Sequence, residues 1–342
     1  MDSFGKILNI INYLDYRPKY EQKKCIKSIS PKSSCSICKD VCASNAITIN
    51  QRSIEIEVNC NTCNKCVSYC PTNALVDTGK KFIGFKEKIY LLCEEFKIED
   101  SVDNNFKINC LDYINTKILL NIYKRGYREI YTNLEKCSNC NKNIDILAEL
   151  DRTNEILSKL DKPLMSIQNM EVKSLVLRAK EIEKLKSANE VDRRSFFKQL
   201  AKELYSKTYE VTPPASREQF WDSTSHILEK WNENKKKKLS LYNIEINYNK
   251  CIQCNACKKL CPQEVWKIDN SALEERFDLC NGCKLCEDIC PTKAIVVKGD
   301  TILIDRQVNK KETSNCIGCN KEYTRYKREI EKCPGCIGKE IF

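Results

Sequence analysis

The chain has 342 residues, with 24 cysteines, a single histidine, and 58 basic against 47 acidic residues for a formal charge of +11. One histidine excludes a Rieske centre, which needs two, and no C-x2-C is followed by His, which excludes c-type haem attachment. No stretch reaches the roughly 18 apolar residues of a membrane span, so a reducing cytoplasmic setting is expected, where cysteines in this number read as metal ligands and not as disulfides. Residues 1–24 read as an N-terminal helical segment. Ile7, Leu8, Ile10, Ile11 and Leu14 are broken up by Asn9 and Asn12, and the absence of a basic n-region argues against a signal peptide.

Residues 25–80 carry the first cysteine-dense module. Cysteines every third residue aim three thiolates at one face of an iron-sulfur cubane, and a fourth, four residues further on, reaches the neighbouring cubane. Residues 60–76 and 280–296 match at nine of seventeen positions without a gap, an internal repeat. This predicts one 4Fe-4S cluster on Cys60, Cys63, Cys66 and Cys42. Cys35, Cys38 and Cys42 align with Cys254, Cys257 and Cys261, but Lys32 stands where Cys251 requires a ligand. Cys25, seven residues upstream, is read as completing a second 4Fe-4S set with Cys35, Cys38 and Cys70. A 3Fe-4S cluster on Cys35, Cys38 and Cys70, or a labile solvent-open site, is the alternative. Ala43 replaces the proline that follows the other fourth cysteines, and residues 46–49 and 54–58 have the branched, alternating character of a hairpin.

Residues 86–143 read as a small parallel α/β segment. Ile89 to Leu92 runs into Cys93, and Phe106 to Asn109 runs into Cys110. A helix with Ile118, Leu119 and Ile122 on one face follows, stopped by Gly126, and a third strand, Glu129 to Thr132, leads to Cys137-x2-Cys140. Parallel strands end on one edge, so Cys93, Cys110, Cys137 and Cys140 are expected to converge there. The segment resembles the delta subunit of methyl-viologen-reducing hydrogenases, a resemblance that implies an adaptor carrying a 2Fe-2S cluster. The cysteine spacing near its end is shorter here, however, and the accompanying histidine is absent. Zinc and reduced structural thiols stand beside 2Fe-2S as readings.

Residues 145–240 lack cysteine and show Lys, Glu and Leu at helical spacing, as in Val172 to Lys186 and Arg194 to Leu204. They read as a helical connector, interrupted at Pro213-Pro214. Phe220, Trp221, Ile227, Leu228 and Trp231 form the apolar face of its next helix, for core packing or for a partner subunit. Asp192 to Lys198 has the look of a twin-arginine motif but lies deep in the chain, and Gln199, Lys202 and Glu203 interrupt any apolar core, so export is rejected. His226 reads as an ordinary helical residue.

Residues 244–305 contain two consecutive C-x2-C-x2-C-x3-C-P runs. They assign Cys251, Cys254, Cys257 and Cys290 to one 4Fe-4S cluster and Cys280, Cys283, Cys286 and Cys261 to another. The segment resembles bacterial-type two-cluster ferredoxins, a pattern that occurs twice in the chain, imperfectly in residues 25–80. In the tail, 306–342, Cys316-x2-Cys319 and Cys333-Pro334-Gly335-Cys336 form paired knuckles suited to zinc, with a rubredoxin-like iron as the alternative.

The fold class expected is α+β multidomain: two ferredoxin-like 2x(4Fe-4S) modules, a small parallel α/β segment, a helical connector and a C-terminal four-cysteine knuckle. Six filled quartets, each carrying about −2, would cancel the formal charge. Lys235 to Lys238 therefore reads as a solvated linker, and nucleic acid is not an expected partner. No nucleophile-base pair, nucleotide loop or catalytic carboxylate pair stands out. The function expected is single-electron transfer to or from a partner oxidoreductase of hydrogenase or dehydrogenase type, in an anaerobic setting. A redox- or iron-responsive regulator is the alternative, with cluster storage or delivery as a third reading.

Overall fold

The computed structural model describes residues 17–77, 83–93, 107–108, 110–138, 145–182, 222–233, 235–268, 272–325 and 330–341. Most of the N-terminal helical segment, Cys140, the 192–198 motif, the 194–204 helix and Pro213-Pro214 with Phe220 and Trp221 lie outside them. The described residues mix helix and strand in several small sheets, an α+β arrangement. Among them no helix is long and apolar enough to cross a membrane.

The first module begins with β1 (Lys19–Tyr20) and continues through α1 (Ile26–Ile29), α2 (Ile37–Asp40), the hairpin β2 (Ile47–Ile49) and β3 (Ile54–Ile56), α3 (Lys65–Tyr69) and β4 (Leu75–Val76). β1 pairs antiparallel with β4, and β2 with β3. Helix α3 is one short turn because Cys70 precedes Pro71. The residue before proline is driven out of the helical region, and Cys70 sits at φ −64°, ψ 117°.

The α/β unit comes next. It holds β5 (Ile83–Phe85), β6 (Lys88–Tyr90), β7 (Leu92–Cys93), β8 (Lys107–Ile108), α4 (Thr116–Lys124), β9 (Glu129–Thr132), α5 (Glu135–Ser138), α6 (Ile146–Lys159) and β10 (Ser166–Asn169). The sheet order is β10-β9-β6-β5, with β6, β9 and β10 parallel and β5 antiparallel at the edge. Asn115 caps α4 by accepting from the Ile118 N–H, and Gly126, at φ +96°, ends the turn after it. The expected single apolar face is too narrow, for α4 is buried from Lys117 through Tyr123. Nor is 145–240 purely a helical connector, because β10 adds a fourth strand to the sheet. Helix 172–182 buries Leu175, Val176, Ala179 and Ile182 against Tyr90, Leu92 and Cys93.

Beyond α7 (Thr224–Asn232), the second module repeats the plan of the first. It has β11 (Lys238–Ser240), β12 (Asn243–Ile246), α8 (Ala256–Leu260), β13 (Trp266–Ile268), β14 (Ala272–Glu275), α9 (Leu285–Ile289), β15 (Ile295–Lys298) and β16 (Ile302–Ile304). β12 pairs with β15 as β1 does with β4, and α8 and α9 stop at Cys261-Pro262 and Cys290-Pro291 as α3 does. β17 (Gln307–Lys310) joins the β13-β14 hairpin. The tail follows with β18 (Glu312–Asn315), β19 (Glu322–Arg325) and α10 (Pro334–Ile341).

One core runs from Ile47, Ile54, Val67 and Leu75 of the first module through α4 and α6 to Ile227, Leu228 and Leu239. The second module has its own around Ile244, Val265, Trp266, Leu279, Ile295 and Val297. Ile26, Leu285 and Ile289 make a smaller one, between the modules.

Candidate metal centres

In the second module Cys251 leaves the 3-10 turn Tyr248–Lys250 in extended backbone, Cys257 lies in α8, and Cys290 follows α9. With Cys254 these side chains line a cavity of about 90 Å³, walled by Ile246, Trp266, Leu273 and Ile295. Cys261, Cys280, Cys283 and Cys286 line a second, which Trp266 also borders. Burial pushes the thiols of Cys257 and Cys280 up to about 12, that of Cys283 to about 11, and that of Cys286 higher, with neighbouring cysteines adding to the effect. Thiols that burial keeps protonated ionise when a metal cation replaces their protons, so each group has the donor chemistry of a metal-thiolate site. Backbone N–H groups already point at the sulfurs, as from Ala294 to Cys290 Sγ at 3.2 Å and from Gly282 to Cys280 Sγ at 3.4 Å.

In the first module, too, the cysteines fall into two groups whose members act on one another electrostatically. Cys42, Cys60, Cys63 and Cys66 gather into one, where burial raises the Cys63 and Cys66 thiols and the other members add to the shift. Cys25, Cys35, Cys38 and Cys70 gather into the other, where burial lifts Cys38 to about 12 and Cys35, Cys70 and Cys25 contribute. Ala43 in place of proline does not disturb the turn. The Ala46 N–H reaches Cys42 Sγ at 3.3 Å as that of Ala74 reaches Cys70 Sγ at 3.2 Å, and Asn45 and Asn73 both take positive φ, as do Glu264 and Lys293.

In backbone terms the counterpart of Cys251 is Cys25, the residue that the sequence offered where Lys32 supplies no thiolate. Cys25 leaves the 3-10 turn Gln22–Lys24 at φ −76°, ψ 123°, and Cys251 leaves its own turn at φ −80°, ψ 109°. Each follows the end of its strand, Tyr20 or Ile246, by five residues. The Glu21 N–H bonds to Ala74 O at 2.8 Å just as that of Asn247 bonds to Ala294 O. Nine residues separate Cys25 from Cys35 where two separate Cys251 from Cys254, and the extra length forms α1. A gapless comparison of the repeats has no means of finding this equivalence.

In the α/β unit Cys93 ends β7 and Cys110 follows β8, two parallel strands in which Cys93 faces Ile108. Both cysteines are buried, and Cys110 Sγ accepts from the Asp112 N–H. Cys137 lies in α5, half-buried against the main core, and Cys140 is outside the described residues. The unit abuts the first module's cradle through Lys65, paired with Asp112 at 2.7 Å.

The tail differs in scale. All four sulfurs of Cys316, Cys319, Cys333 and Cys336 lie within 4.8 Å of one another, and among the described residues they are the one such group. A tetrahedral ion with metal-sulfur bonds of about 2.3 Å sets its sulfurs about 3.8 Å apart, the separation of Cys319 from Cys333. The quartet therefore fits a single ion and is too tight for a cubane. The Cys333 N–H pulls the Cys316 thiol down to about 6, and hydrogen bonds to the other three sulfurs push Cys336 up to about 12.

Sequence reasoning passed over Lys117, whose buried ammonium donates to Val67 O, Cys70 O and Asn73 Oδ1 behind the Cys70 cradle. Its only signal was a lysine inside an apolar helix. His226 is exposed and accounted for by the helix start, where its N–H meets Ser223 Oγ.

A family model described as a 4Fe-4S dicluster domain matches residues 250–295, a span that holds both cradles of the second module. This part of the chain is similar to ferredoxin-type domains. No curated protein matches the chain.

Proposed function

We propose that the chain is an iron-sulfur electron-transfer protein or subunit, passing single electrons to or from a partner oxidoreductase through four 4Fe-4S clusters. Cys251, Cys254, Cys257 and Cys290 would hold one, and Cys261, Cys280, Cys283 and Cys286 the second. Cys42, Cys60, Cys63 and Cys66 would hold the third, and Cys25, Cys35, Cys38 and Cys70 the fourth. The observation that carries this reading is the recurrence in residues 25–77 of the backbone plan of the segment matched by the dicluster family, down to the turn that presents Cys25.

The bound clusters supply reversible one-electron chemistry at a potential set by burial and hydrogen bonding. The chain's part is to exclude water with Ile246, Trp266, Leu273 and Ile295, and to aim the Ala46, Ala74 and Ala294 N–H groups at thiolates whose charge grows on reduction. The tail quartet is assigned one zinc ion. The α/β unit is assigned the role of adaptor to the partner, with Cys93, Cys110, Cys137 and Cys140 as the ligand set of a 2Fe-2S cluster or zinc.

Metal analysis tests the proposal. Protein purified without oxygen should contain about 16 to 18 iron atoms per chain, near-equal acid-labile sulfide and about one zinc. About eight iron atoms would restrict the electron-carrying role to residues 251–290 and end the four-cluster reading.

A further inference from the structure

The departure that sets the first module apart, the stretch between Cys25 and Cys35, is also where the two modules meet. Ile26, 2% exposed on α1, packs with Leu285 and Ile289 of α9, and Ile29, Cys35, Ala256, Leu260 and Cys283 close around them. Cys35 of one cradle and Cys283 of the other thus border one apolar contact. Two polar fastenings flank it. Ser34, beside Cys35, donates from its N–H to Asp288 Oδ2 at 2.7 Å and from its hydroxyl to Asp288 Oδ1 at 2.8 Å. On the other side, Asn281 Nδ2 donates to Pro71 O at 2.8 Å while its Oδ1 accepts from the Cys283 N–H at 3.2 Å. Pro71 follows Cys70, so a path of covalent and hydrogen bonds runs from Cys70 through Asn281 to Cys283. The counterpart Asn61 makes the local bond, Cys63 N–H to Oδ1, within its own module.

We propose that the two modules form one continuous electron relay, joined where the Cys25, Cys35, Cys38 and Cys70 cradle meets the Cys261, Cys280, Cys283 and Cys286 cradle, with Asn281 as the bridging residue. The proposal rests on the electron-transfer reading above. A transfer across the contact removes one electron from one cradle and delivers it to the other, with no bond made or broken and no proton moved. A one-electron donor protein supplies it at one end of the relay and an acceptor takes it at the other. The outer cradles mark the ends. That of Cys42, Cys60, Cys63 and Cys66 lies beside the α/β unit through Lys65 and Asp112, and that of Cys251, Cys254, Cys257 and Cys290 is walled in part by Ile330 of the tail.

Low-temperature electron paramagnetic resonance of the loaded, full-length protein reduced with dithionite tests the relay. The wild type should show a spin-spin interaction between modules in addition to the one within each. In Asn281→Asp with Asp288→Ala, the acceptor for the Cys283 N–H is kept while the donor to Pro71 O and both Ser34 bonds are removed. That variant should keep its iron, its sulfide and the within-module interactions. It should lose the cross-module interaction and redistribute electrons between modules more slowly after substoichiometric reduction. A wild-type spectrum equal to two independent pairs, or a loaded variant indistinguishable from wild type, would overturn the relay while leaving electron transfer in place. Iron short of four cubanes would overturn the electron-transfer reading and the relay with it.

Discussion

Lys117 shows how one side chain can bind the α/β unit to the turn that carries Cys70. Its ammonium has three donors, and all are used, at 2.9 Å to Val67 O, 3.1 Å to Cys70 O and 2.9 Å to Asn73 Oδ1. Burial pushes its pKa down to about 8, with the Cys70 thiolate acting in the opposite sense. A filled cradle adds negative charge beside it and keeps the proton on. Lys117→Met preserves the length of the side chain but removes all three of these hydrogen bonds, at a cost of about 2–3 kcal/mol. It also removes a positive charge that favours the reduced state, so the centre held with Cys70 should titrate at a more negative potential. A redox titration followed by electron paramagnetic resonance measures this, and an unchanged potential would mean that Lys117 is a structural tether alone.

At the scale of elements, α1 is the addition that turns a repeat into a joint. Ile26→Ala removes the side chain at the centre of the inter-module contact, a loss of about 2–3 kcal/mol for a buried position of this kind. Hydrogen exchange should then quicken in both 26–35 and 283–289, although the two stretches are distant in sequence; a response confined to 26–35 would count against a shared apolar joint. The ends of the short helices were legible in the sequence because the rule is local: prolines after Cys70, Cys261 and Cys290 mark where each helix must stop. β9 and its preceding Gly126 were legible for the same reason, a short stretch of branched and aromatic residues following a glycine that takes positive φ. β10 was not, since Ser166-Ile167-Gln168-Asn169 has one apolar residue and pairs through its backbone, which carries no side-chain signal. β17 escaped in the same way, with Gln307, Asn309 and Lys310 in a strand held by β14. The contact of Ser34 with Asp288 joins residues 254 positions apart, beyond the reach of periodicity.

For the whole molecule the deciding quantity is charge. The formal +11 counts every cysteine as neutral, whereas six filled quartets at about −2 each contribute about −12. Loaded protein should therefore carry almost no net charge, and metal-free protein should be strongly basic. The lysine run does not reverse this. Lys235 pairs with Asp161 at 2.7 Å, Lys238 donates to Asn232 O, and of the four only Lys236 and Lys237 lack such an assigned contact, so no phosphate-sized cluster is presented. Counterion release gives charge-driven nucleic-acid binding a steep salt dependence. In low salt, metal-free protein should bind duplex DNA weakly and without sequence preference, and loading the cradles should abolish that binding. Fluorescence anisotropy of a labelled duplex, run anaerobically on both forms over a salt series, makes the comparison. If the loaded form bound more tightly than the metal-free form, the basic residues would have to be concentrated on one face despite the added thiolate charge, and an iron-sulfur regulator would then displace an electron carrier as the better description.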